Sequence, residues 1–66
     1  MVAKNNFATF LEKRVKLFFD DGNEVRFKIG VVKEINEFFI TLDTQEGLQQ
    51  IAMPRFVRAE VLEGEQ

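Results

Sequence analysis

The chain has no cysteine, histidine, serine, tyrosine or tryptophan, and only one proline. Without cysteine no disulfide can form. Without cysteine and histidine, zinc and iron–sulfur centres have no ligands, so no cofactor is expected. The same absences remove every nucleophilic triad built on Ser or Cys with a His base. Carboxylates, lysines, arginines and three threonines remain, on a chain of 66 residues with little room for a substrate cleft. The expectation is a non-enzymatic protein with no small-molecule substrate. Long apolar runs are also missing. Stretches such as Phe38-Phe39-Ile40 are far shorter than the roughly 20 residues of a membrane span and shorter than a signal-peptide core. A cytoplasmic protein with no membrane partner is expected, and the lack of cysteine agrees.

What is present describes one small folded domain. Apolar residues make up 45% and charged residues 30%, a balance that excludes disorder. A chain of this length buries only about 60% of its unfolded surface, while ordering it costs on the order of 100 kcal/mol. With disulfides excluded and a metal nearly so, association with further subunits is the expected stabiliser. The net charge of −2 argues against gross non-specific nucleic-acid binding. Residues 1–19 carry four basic side chains against one acidic. Residues 20–66 carry five basic against ten acidic, with Glu60, Glu63 and Glu65 near the end.

Along the chain, Asn5 or Asn6 can cap a short helix over about 5–13, with Phe7, Phe10 and Leu11 as its apolar stripe. From Arg14 the period changes to two, with Val15, Leu17 and Phe19 on one face. Asp20-Asp21-Gly22-Asn23 is a hairpin signal, because these residues tolerate positive φ. Val25, Phe27, Ile29 and Val31 then alternate with Glu24, Arg26, Lys28 and Gly30. The adjacent Val31 and Val32 suggest a change of apolar phase near Gly30, as a bulge or bend produces. A third strand is predicted over about 37–43, a turn at Thr44–Gly47 and a fourth strand over 48–53. Pro54-Arg55-Phe56-Val57 suits one tight helical turn, and a fifth strand follows over 58–62. Residues 63–66 read as a frayed tail. The prediction is thus a mainly β, single domain over 1–66. A short N-terminal α-helix precedes a strongly bent five-stranded antiparallel SH3-like small barrel over about 14–62. The fourth and fifth strands are its candidate exposed edges.

This order resembles the Sm-like (LSm) family, including the bacterial Hfq branch. The resemblance runs from Phe7 to about Leu62. It rests on Gly22, Gly30 and Ile35-Asn36-Glu37-Phe38-Phe39-Ile40 as a first motif, and on Met53-Pro54-Arg55-Phe56-Val57 as a second. Gly22 and Gly30 lie further apart than is usual in the family, so the first hairpin looks extended. Asn36 stands where the family has Asp. Ile40 stands where many Sm proteins have Asn, as in the Hfq branch. Met53-Pro54 replaces the Arg-Gly of the second motif, and the Lys-His of the Hfq branch is missing. The resemblance implies a closed homo-oligomeric ring of about five to eight subunits, in which the fourth strand of one subunit pairs with the fifth of the next. It further implies binding of single-stranded RNA, U- or A-rich, near the pore, as an RNA chaperone or riboregulator.

The implied RNA-binding residues are Asn36, Phe38, Arg55 and Arg58. The implied subunit interface holds Ile51, Met53, Ala59 and Val61. Each has a second reading. Phe38 can stack on a base or share the core with Ile40 and Leu42. Asn36 can bond a base edge or stabilise its own turn. Arg55 and Arg58 can form rings of positive charge or pair locally, for instance with Glu60. Met53 can belong to the core or an interface, and Lys13, Arg14 and Lys16 can form a basic rim. The rival function is a ring or barrel used as a protein-interaction scaffold that has lost RNA reading.

Overall fold

The structure is a computed structural model and describes residues 10–62. Five strands make one antiparallel sheet: β1 (Arg14–Asp20), β2 (Val25–Ile35), β3 (Phe39–Thr44), β4 (Gly47–Ala52) and β5 (Phe56–Val61). A single 3-10 turn, Met53–Arg55, joins β4 to β5. The order across the sheet is β4-β3-β2-β1-β5, so β4 and β5 are its two end strands, as the sequence suggested. The five antiparallel strands and their turns are therefore present.

The expected helix over about 5–13 lies mostly outside the described residues. Its last part, Phe10–Lys13, is a turn and not a helix. The amide of Lys13 donates to the Phe10 carbonyl at 3.0 Å, and Glu12 has φ +63°. Leu11 bridges in parallel to Val32, and the Glu12 amide donates to the Val32 carbonyl at 2.7 Å. Backbone pairing with β2 competes successfully here with a helix too short to be stable alone.

The β1–β2 hairpin is closed by its two aspartates. Asp20 Oδ1 accepts from the Gly22 amide at 2.8 Å, and Asp21 Oδ1 accepts from the amides of Asn23 and Glu24 at 2.8 and 2.9 Å. Gly22 takes φ +103°, a conformation that costs an L side chain strain. Arg26 adds ion pairs to Asp21 and, at 3.2 Å, to Glu24.

Alternation then sorts the sheet into two faces. Val15 and Leu17 of β1, Val32 of β2, Ile40 and Leu42 of β3, and Ile51 of β4 form the buried core. Phe10, Phe19, Ile35, Met53, Phe56, Ala59 and Val61 pack against it. In β2 the even positions face inward, so Gly30 and Val32 are buried while Val25, Phe27 and Ile29 are exposed. The apolar phase does not change at Gly30. The register shift falls between Val32 and Glu34, three residues later than the sequence suggested. Gly30 serves the other purpose open to a strand glycine, close approach of another backbone. A Cβ there would stand 2.7 Å from the Asp43 carbonyl oxygen.

Two outcomes are expected. Gly30→Ala should lower unfolding free energy by about 1–3 kcal/mol in chemical denaturation, because the obstructing atoms are main chain. The second concerns acid. The Glu24 and Asn23 amides, followed by Arg26, lower the Asp21 pKa from 3.8 to about 2. A depressed carboxyl stabilises the fold above its unfolded pKa and loses that effect as pH falls through the folded value. The difference in melting temperature between wild type and Asp21→Asn should therefore be full above about pH 4 and shrink toward pH 2.

Candidate nucleic-acid interface

The structure separates the four predicted RNA residues into three places. Asn36 and Phe38 lie on the β2–β3 turn. The Asn36 side-chain oxygen accepts from the amides of Phe38 and Phe39 at 2.7 and 3.0 Å, and its Nδ2 donates to Glu34 at 3.3 Å. Asn36 is thus occupied in holding the turn. That turn presents Phe38, which is 67% exposed. Ile40 and Leu42 are buried, so Phe38 does not share their core position; β3 begins only at Phe39. The Phe38 carbonyl accepts from the Met53 amide at 2.8 Å, which anchors the turn to the β4–β5 corner.

Arg55 leaves the same corner toward the first hairpin. Its Nη1 donates to the Asp20 carbonyl at 3.1 Å. Arg58 stands on β5, opposite Phe18 of β1. Its guanidinium lies 3.9 Å from the Phe18 ring centroid, and Nη2 pairs with Glu60 at 3.2 Å.

Arg58 introduces a feature that the sequence reading missed. On the outer face of β5, β1 and β2, cross-strand pairing sets Arg58, Phe18 and Phe27 in one row. The two rings meet at 5.9 Å with an interplanar angle of 56°. Lys16 Nζ sits 4.3 Å from the Phe27 centroid and 5.4 Å from that of Phe18. Phe27 is 53% exposed. Two rings with two cations over their faces thus form one cluster on this side of the sheet. Its electrostatic logic is attraction of a cation to the negative face of a ring. The signal available in the sequence was the period-two spacing of Lys16 with Phe18, and of Phe27 with Ile29, read together across the Asp-Gly hairpin.

The predicted interface residues flank the two end strands. Ile51 is buried in the core of its own chain, while Met53, Ala59 and Val61 are half-buried against that core. Among the described residues, no cluster of acidic side chains is arranged to hold a metal ion, and no helix is long and apolar enough to cross a membrane. Comparison with known proteins gives no matching family model, no matching curated protein and no matching solved structure.

Removing the Asn36 side chain tests the turn. Asn36→Ala should cost about 1 kcal/mol or slightly more by thermal melting, through the loss of the three hydrogen bonds its side chain makes. Asn36→Asp keeps the oxygen that accepts the two amides but sets a carboxylate against Glu34, so it should recover only part of that loss.

Proposed function

We propose that this protein is a single-stranded RNA-binding module of the Sm-like type, working as a homo-oligomeric ring. The observation that carries the RNA reading is the aromatic–cation cluster of Lys16, Phe18, Phe27 and Arg58, in which Phe27 and Arg58 are exposed. Bases stack on aromatic rings without regard to sequence, and flanking cations meet the phosphates. Phe38 offers a second exposed ring, on a turn held rigid by Asn36.

Ring assembly draws support from the topology. The end strands β4 and β5 each have one strand neighbour, and exposed strand edges invite pairing with another chain. The sheet is read as curling into an SH3-like small barrel, a curvature favoured by the close approach at Gly30 and the register shift after Val32. In this reading the protein acts in the cytoplasm without chemistry of its own, as a chaperone or riboregulator for RNA.

A second reading has its own observation. Arg55 is engaged by the Asp20 carbonyl and Arg58 by Glu60, which leaves less free positive charge for phosphate. That favours a protein-interaction scaffold.

Fluorescence anisotropy with labelled oligo-U and oligo-A at two salt concentrations separates the readings. Loss of one stacked base is worth about 1–3 kcal/mol, so Phe27→Ala or Phe38→Ala should weaken binding by roughly 5- to 150-fold while the salt slope holds. Lys16→Ala should flatten the salt slope. Oligomer mass by light scattering controls for assembly. If the wild-type protein binds neither RNA at low salt, the RNA reading fails and the scaffold reading replaces it.

A further inference from the structure

The N-terminal half of β2 has a free main-chain edge, and its position follows from the ladder. The Val32 amide donates to the Lys13 carbonyl at 3.0 Å and the Val32 carbonyl accepts from Glu12, so the main-chain groups of Val32 point toward β1. The same holds at the hairpin end, where the Asp21 amide donates to Glu24. Alternation along an antiparallel strand then turns the N–H and C=O groups of Val25, Phe27 and Ile29 the other way. On that side the pairing with β3 ends at Val31, which is opposite Asp43. Among the described residues nothing is hydrogen-bonded to these six groups. Beside this edge lies an open groove of about 480 Å³, with Phe27, Lys28 and Ile29 on one wall and Asp43–Glu46 on the other.

We infer that this edge is a self-association surface, where β2 of a second copy adds antiparallel to Glu24–Lys28 about a two-fold axis at Arg26. Space and charge favour this register over those centred on Phe27 or Lys28. Only an even offset keeps the two outer faces on one side of the joined sheet. A pairing centred on Lys28 would place the second strand opposite Gly30 and Val31, where β3 already stands. A pairing centred on Phe27 would set Arg26 against Lys28 twice, and like charges directly opposite are destabilising. Centring on Arg26 sets Glu24 against Lys28 of the partner subunit twice, on one face. On the other face it sets Val25, 56% exposed, against Phe27 of the partner subunit. The two Arg26 side chains meet at the axis, each already paired to Asp21 and Glu24 of its own chain. About four inter-chain hydrogen bonds result. The contact is isologous, so it closes with two copies. It uses neither β4 nor β5 and does not depend on the ring or on RNA.

The absence of cysteine makes the test direct. At the axis the two Arg26 residues form a non-hydrogen-bonded pair, with Cα atoms about 4.5 Å apart, within the range a disulfide spans. Arg26→Cys should cross-link under mild oxidation to twice the 7.7 kDa chain mass. Lys28→Cys alone should not, whereas an equimolar mixture of Lys28→Cys and Glu24→Cys chains should give the mixed dimer. Assembly through β4 and β5 alone would leave Arg26→Cys uncross-linked. That result, or equal cross-linking at positions 26 and 28, would overturn the inference. As a check without cysteines, Glu24→Lys should shift sedimentation toward the smaller species. The double exchange Glu24→Lys with Lys28→Glu should restore the wild-type value, and no shift from the single change would also overturn it.

Discussion

One close approach shapes this sheet. The main chain of β2 at Gly30 lies so near the Asp43 carbonyl of β3 that any side chain would intrude. The chain crosses here from a stretch in which β2 pairs with β1 alone into the packed body. Before Gly30, β2 is paired to β1 alone. After it, β2 holds β1 on one side and β3 on the other, and Val32 meets Leu42 across the ladder. Both side chains are essentially inaccessible to solvent, and with Val15, Leu17 and Ile40 they account for the largest fully buried groups. A core this small has no spare layer. The backbone crossing that permits its two central strands to meet is therefore a requirement for all the rest.

Much of this was legible from residue order. Period-two spacing located the strands, and turn chemistry located their connections, because Asp-Gly and Thr44–Gly47 solve local problems with local atoms. Pro54 correctly marked the turn between the last two strands, although that turn is Met53–Arg55 and β5 starts at Phe56. What alternation cannot supply is which face of a strand is covered. Val25, Phe27 and Ile29 have the spacing of core residues, yet they lie outside. Covering is decided by what packs on each face, and the core lies against the even positions of β2, where Gly30 and Val32 are buried. The same limit applies to Phe38. Its spacing with Ile40 and Leu42 suits a strand, but Asn36 captures the Phe38 and Phe39 amides and delays the strand by two residues. The turn at Phe10–Lys13 is a third case, since its partner Val32 lies about twenty residues away.

The predicted site residues show how function and structure share side chains. Arg55 and Asn36 have side chains suited to meeting RNA, and both bond the main chain at turns or strand ends. Arg58 lies over Phe18, which ties it to two rings and a lysine outside both motifs. Cations resting on aromatic faces raise the local density of positive charge on this side of the sheet. An acidic chain can in this way keep one face suited to anions.

The pairing of β1 with β5 has a consequence for how the chain folds. Leu17 lies beside Ala59, so a central strand takes its outer neighbour from the far end of the described chain. Hairpins between successive strands form from nearby residues, but this contact requires most of the sequence to be in place. Non-local pairing of that kind slows folding. On the ribosome, β1 would wait with one edge bare until β5 had emerged. Throughout synthesis a strand that supplies two buried core residues, Val15 and Leu17, is thus open to capture by another nascent copy.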